Sequence, residues 1–190
     1  MSTKFTEDET FKGLDYTETP IHKGDYESCV FEQCNFSNSD LSAVNFTDCE
    51  FENCDLSMAN ISNTAFRNVS FLNCKLLGLR FEACNGFLFS VGFDSCQLNL
   101  SSFYQRAIKN TKFINCNLTE VDFAEADLTA AVFANCNLKG AIFENTILEK
   151  TDFRTAENVL INPDANKIRK AKFSVEGAIG LLAKYDIIVE

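Results

Sequence analysis

Every fifth residue of this chain is bulky and apolar over most of its length. Counting from Phe11, the positions are Phe11, Tyr16, Ile21, Tyr26, Phe31, Phe36, Leu41, Phe46, Phe51, Leu56, Ile61, Phe66, Phe71, Leu76 and Phe81. The next step lands on Gly86 and fails. The pattern resumes two residues late at Leu88 and continues in fives from Phe93 to Phe153. A period of five matches neither the 3.6 of a helix nor the 2.0 of a flat strand. It describes a chain that turns a corner at each step.

Residue identity reveals a longer repeat. The positions two before each centre are mostly small, and all nine cysteines occupy such slots. Cys34, Cys54, Cys74, Cys96, Cys116 and Cys136 recur every twenty residues, with one interval of 22 across the slip. At the same spacing Phe11, Phe31, Phe51, Phe71, Phe93, Phe113, Phe133 and Phe153 form a column of one residue type. Four five-residue sides per turn predict an all-β, four-sided solenoid. Turns stacked at about 4.8 Å would place the central side chains inside. About seven coils over 11–155 would make a rod on the order of 34 Å long. Residues 1–10 read as an N-terminal leader.

Asp-Leu-Ser-Met-Ala (55–59), Cys-Asn-Leu-Thr-Glu (116–120), Ala-Asp-Leu-Thr-Ala (126–130) and Cys-Asn-Leu-Lys-Gly (136–140) resemble the A-(D/N)-L-x-x unit of pentapeptide repeat proteins. The resemblance implies a right-handed quadrilateral β-helix, in agreement with the columns.

After Phe153 the period is expected to stop and 156–190 to form a C-terminal cap. Asn162-Pro163-Asp164 signals a turn. Ser174 is a suitable N-cap for a helix running to about Lys184, with Val175, Ala178, Ile179 and Leu182 on one apolar face. Residues 186–190 read as a last short strand. A rod followed by such an ending resembles the topoisomerase-protecting subgroup of the family, which includes the Qnr-type quinolone-resistance proteins and the microcin B immunity proteins. That resemblance implies a homodimer joined through the C-terminal segment and a partner in DNA gyrase or topoisomerase IV. The candidate dimer interface is Ile179, Leu182, Tyr185, Ile187 and Val189. At the slip, Leu88 is expected to act as the interior centre. Phe87 and Phe89 then project, and the bulge Phe87, Leu88 and Phe89 is the candidate partner contact. A plain bulge that re-aims the chain is the alternative.

Charge narrows the function. The 27 acidic and 17 basic side chains give a net charge of −10, which disfavours direct binding of nucleic acid. An acidic rod can instead imitate a duplex before a protein built to hold DNA. The charge is uneven, however. Residues 1–66 hold 13 acids and 3 bases, residues 67–115 hold 2 acids and 6 bases, and residues 116–164 hold 9 acids and 3 bases. A basic waist therefore interrupts the acidic field. With one histidine, His22, no catalytic triad or histidine-based metal site is expected, and the cysteines read as small core residues. The expectation is a non-enzymatic protein without cofactor or metal. The absence of a long apolar run or signal-like start points to a cytoplasmic location and no membrane span. A scaffold for some other protein partner is the alternative.

Overall fold

The corners of the solenoid arise from two residues in each five. The residue before the centre is often Asp or Asn, and its side chain accepts the N–H two residues on: Ser37 to Asn35 at 3.1 Å, Ser57 to Asp55 at 3.0 Å, Ala124 to Asp122 at 2.8 Å. The residue two after the centre adopts the left-handed conformation, as at Asn38 (φ 55), Asn53 (φ 54), Asn73 (φ 52), Asn115 (φ 53) and Asn135 (φ 53). Asn visits that region at lower cost than most residues because its short polar side chain bonds locally. Each pentapeptide therefore carries its own turn.

In the computed structural model, which describes residues 4–185 and 187–188, these corners generate a four-sided parallel β-helix. One side is a sheet of β1 (Lys4–Glu7), β3 (Gly24–Glu27), β5 (Asn45–Thr47) and β7 (Ala65–Arg67). The next side is a seven-stranded sheet in the order β11-β10-β9-β8-β6-β4-β2. It comprises β2 (Thr10–Lys12), β4 (Val30–Glu32), β6 (Glu50–Glu52), β8 (Val69–Leu72), β9 (Val91–Asp94), β10 (Lys112–Ile114) and β11 (Val132–Ala134). All named pairings are parallel. The register is twenty residues, except that β8 pairs β9 at 22 (Phe71 with Phe93). The other two sides are joined by single bridges such as Asn35 with Asp55 and Ser102 with Asp122.

The interior is a stack of rings. Phe11, Phe31, Phe51, Phe71, Phe93, Phe113, Phe133, Phe153 and Phe173 lie face over face, with centroids 4.8 to 5.5 Å apart. Phe36, Phe46, Phe66, Phe81, Phe103 and Phe123 complete it from the other sides. Each cysteine fills the gap beside a ring, and several thiols donate to the carbonyl of a central residue one turn back. Examples are Cys54 to Phe31 at 3.1 Å, Cys74 to Phe51 at 3.2 Å and Cys136 to Phe113 at 3.3 Å. Thr64 and Thr146 do the same with their hydroxyls, to Leu41 at 2.7 Å and Phe123 at 2.9 Å. The slot takes a mostly small side chain, and a Cys or Thr there can also donate to a backbone carbonyl.

The ladder extends past both boundaries read from the sequence. It begins at β1, before Phe11, and does not stop at 155. Ile147 bridges Lys167, Asp152 bridges Lys172, and Phe173 stacks on Phe153. The five-residue count fails there because Asn158 and Pro163 stand where centres are due. Val159 and Ile161 supply the core from shifted positions there, and the count is met again at Ile168 and Phe173. The helix is also shorter than expected. α1 (Val175–Ile179) starts at Ser174, whose Oγ accepts the Gly177 N–H at 2.9 Å. It ends at Gly180, which packs so close to the Val159 carbonyl that no Cβ fits. No residue of α1 is buried. Leu181, Phe173 and Ile168 close the end of the rod instead, and Lys184 pairs with Asp164. Of the strand expected over 186–190, Ile187 and Ile188 carry no strand assignment, and the rest lies outside the described residues.

Candidate functional site: the break in the ladder

Side-chain placement at the two-residue slip differs from the sequence expectation. Leu88 is 65% exposed and takes the left-handed corner conformation (φ 56), whereas Phe89 turns in against the core. The reason is register. The first phase runs on through Gly86, so Leu88 falls at the outward corner two residues after a centre. Gly86 is exposed and supplies no interior side chain, and the half-buried Phe89 meets the Phe81 ring edge-on at 6.3 Å. Phe87 (68% exposed) and Leu88 are thus the projecting pair, and the four-stranded side ends at β7, just below them.

This knuckle is held from several directions. The Phe87 N–H donates to Asn85 Oδ1 at 2.9 Å, and the Asn85 and Ser90 N–H groups donate to the carbonyls of Thr64 at 2.9 Å and Phe66 at 3.0 Å. The Arg67 guanidinium lies 6.0 Å from the Phe87 ring centroid. Arg106 rises from the following turn. Its Nε donates to the Phe81 carbonyl at 2.8 Å, and its Nη2 donates to the Glu82 carbonyl at 2.8 Å and to that of Cys84. Its guanidinium carbon lies 5.4 Å from the Phe89 centroid. Beneath, residues 81–83 form one 3₁₀ turn in which Glu82 Oε1 accepts from Arg80 Nε at 2.8 Å. Arg67 and Arg106 have no carboxylate within ion-pair distance among the described residues. The knuckle is therefore apolar at its tip and positively charged at its flanks.

Sequence reasoning overlooked Arg106. The available signal was an arginine in a slot that mostly holds Cys, Thr, Ala, Val, Ser or Gly, one turn after the slip. The other candidate residues lie far away, at the C-terminal end. Ile179 (46% exposed), Leu182, Tyr185 and Ile187 are all exposed there, together with Leu160 and Val175; Val189 lies outside the described residues. The columns Phe31 to Phe133 and Cys34 to Cys136 are buried. Burial pushes the Cys49 and Cys84 thiols up, to about 11 and about 12, so at neutral pH these two are protonated and poor nucleophiles. Among the described residues no group of three or more His, Cys, Asp or Glu side chains could hold a metal ion. His22 is exposed, and among the described residues no helix is long and apolar enough to cross a membrane.

A stacked-ring, four-sided parallel β-helix with one outward break defines a repeat scaffold. The chain belongs to the pentapeptide repeat family, whose repeat-region model matches residues 24–86 and 87–161. Among solved structures it is similar to a trypsin-treated variant of QnrB1, a plasmid-mediated fluoroquinolone resistance protein. The identity is 20%, the TM-score 0.57, and the match covers 98% of this chain and 92% of that one. It is also similar to HetL, a pentapeptide repeat protein involved in heterocyst differentiation regulation from the cyanobacterium Nostoc. There the identity is 14% and the TM-score 0.59, over 91% of this chain and 87% of that one. No curated protein sequence matches it.

Proposed function

We propose that this protein is a non-enzymatic, cytoplasmic partner of a bacterial type II topoisomerase, DNA gyrase in the first instance, and that it confers resistance or immunity to a quinolone or toxin. The observation that carries this reading is the knuckle. A regular solenoid needs no break, yet this one exposes Phe87 and Leu88 side by side in mid-rod, which offers a partner a contiguous apolar contact. The net charge of −10 adds attraction to a basic, DNA-holding surface, and the fold is one that QnrB1 shares. The exposed apolar residues Ile179, Leu182, Tyr185 and Ile187 would join two copies end to end, lengthening the rod.

The test titrates purified protein into gyrase supercoiling reactions with and without a fluoroquinolone. Loss of drug-induced linear DNA at concentrations that spare supercoiling is the expected outcome. Unchanged cleavage and supercoiling at micromolar protein would sink the proposal. A second reading, a scaffold for a different protein, is favoured by one observation: the basic stretch 67–115 interrupts a duplex-like field.

A further inference from the structure

We propose that Arg106 is the positioning residue of the Phe87–Leu88 knuckle: its guanidinium ties down the 81–84 turn and supports Phe89, so that the next two residues back are held outward, ready for a partner. Calling the knuckle a partner contact rests on the function proposed above; the positioning role does not.

Three observations carry the inference. First, Arg106 occupies an inward slot where the neighbouring turns place Cys84 and Ala126. A long cationic side chain there loses rotamer freedom and hydration, so it requires compensating bonds. Second, it finds them all in one place. The carbonyls of Phe81, Glu82 and Cys84 belong to the segment that leads into the knuckle, and each accepts from Arg106. Charge-assisted bonds of this kind exceed neutral ones in strength, and a planar guanidinium serves several acceptors where an ammonium acts as a point charge. Third, the space is shared with a glycine. A Cβ on Gly86 would lie 2.9 Å from Arg106 Nη1, so the bare backbone at 86 and the guanidinium are matched. Against the other face of Arg106 lies the Phe89 ring. Remove the guanidinium and both the carbonyl tether and the support of Phe89 disappear, while the Phe columns above and below remain.

Hydrogen exchange on the purified protein without a partner tests the positioning role. The amides of Asn85, Phe87, Phe89 and Ser90 are hydrogen-bonded and report local opening. Arg106→Ala should speed their exchange at least about tenfold, with the amides of Phe51 and Phe133 unchanged. Arg106→Lys should behave nearly as Ala. Gly86→Ala should raise the same amides in the wild-type background and add little in the Arg106→Ala background, the signature of a coupled pair. Exchange at 85–90 that is the same in Arg106→Ala and wild type overturns the proposal, as does additivity of the two substitutions. Gyrase binding then gives the readout that a merely structural role would not move. Arg106→Ala and Phe87→Ser/Leu88→Ser should each weaken it by at least about tenfold without a fall in the main melting transition, and their combination should be no worse than either. If wild-type protein fails to bind gyrase, the proposed function falls, and the exchange data still decide Arg106. If Phe87→Ser/Leu88→Ser weakens gyrase binding while Arg106→Ala binds as tightly as wild type, the positioning role is overturned; if neither weakens it, the knuckle is not the gyrase contact and the exchange data again decide Arg106.

Discussion

The slot two residues before each centre shows how a single side chain serves the backbone. Cys74 is buried, and its thiol reaches the Phe51 carbonyl at 3.2 Å; Thr64 in the matching slot of another side makes the equivalent bond through oxygen. Val and Thr have the same shape, so the pair Cys74→Val and Cys74→Thr isolates the donor. Cys74→Val should be the less stable by about 1 kcal/mol, read from urea denaturation midpoints. The same burial gives a pH prediction. Cys49 and Cys84 start from an ordinary value of 9.0 and are raised to about 11 and about 12 by desolvation. Raised thiols bind protons in the folded state that the unfolded chain has released. Their contribution is therefore complete below about 9 and is lost as pH rises through 9 to 12. Thermal melts should hold steady up to pH 9 and then fall, and native protein should resist thiol reagents at pH 8 until unfolded. Rapid labelling of all nine cysteines in the native state would contradict this account.

At the level of elements, α1 and the turn after it divide their work unexpectedly. The helical period of Val175, Ala178, Ile179 and Leu182 suggests a face that packs on the solenoid, but those residues are exposed. Gly180 is pressed against Val159, and Leu181 reaches the core. The i, i+3, i+4 pattern is correct as a pattern; it cannot say whether the face meets the same chain or another. Two variants separate these roles. Ile179→Asp/Leu182→Asp should convert a dimer to a monomer in sedimentation equilibrium and leave the melting transition in place. Gly180→Ala should loosen the cap itself, since its methyl must displace the Val159 backbone, and should lower the melting temperature. A wild-type protein that sediments as a monomer at tens of micromolar removes the dimer from the proposal.

Across the whole molecule, the ring column makes stability quasi-one-dimensional, each turn depending on its two neighbours. Position along the rod should therefore decide the cost of losing a ring. Phe113 is fully buried between Phe93 and Phe133, and Phe113→Ala should cost about 3–5 kcal/mol. Phe11 has a stacked neighbour on one side and is only partly buried, so Phe11→Ala should cost clearly less in the same denaturation experiment. Charge also operates at this scale. Glu32 and Glu52 are register partners on adjacent turns, an arrangement that opposes stability. Glu52→Lys should leave the rod as stable or more so. If the acidic surface meets a basic partner, the same change should weaken gyrase binding most at low salt; equal affinity at all salt concentrations would argue against that role for this side.

The fold was legible in the chain because a β-helix repeats one local solution. Each five residues carry a central Phe or Leu, a small neighbour, an Asx turn and a left-handed corner, so periodicity alone dictates side, register and core. Legibility ended where that repetition ended. Whether Leu88 or Phe89 points inward depends on the Phe81 ring and on a guanidinium from the next turn, contacts made at a place where the count is ambiguous. The exposure of the helix face depends on how closely Gly180 meets Val159. The continuation of the ladder to Phe173 depends on backbone pairing with the preceding turn, which persists although Asn158 and Pro163 break the side-chain pattern. Local rules written into the residues thus settle the solenoid. Its knuckle and its end are settled by packing between turns, which no count along the chain can read.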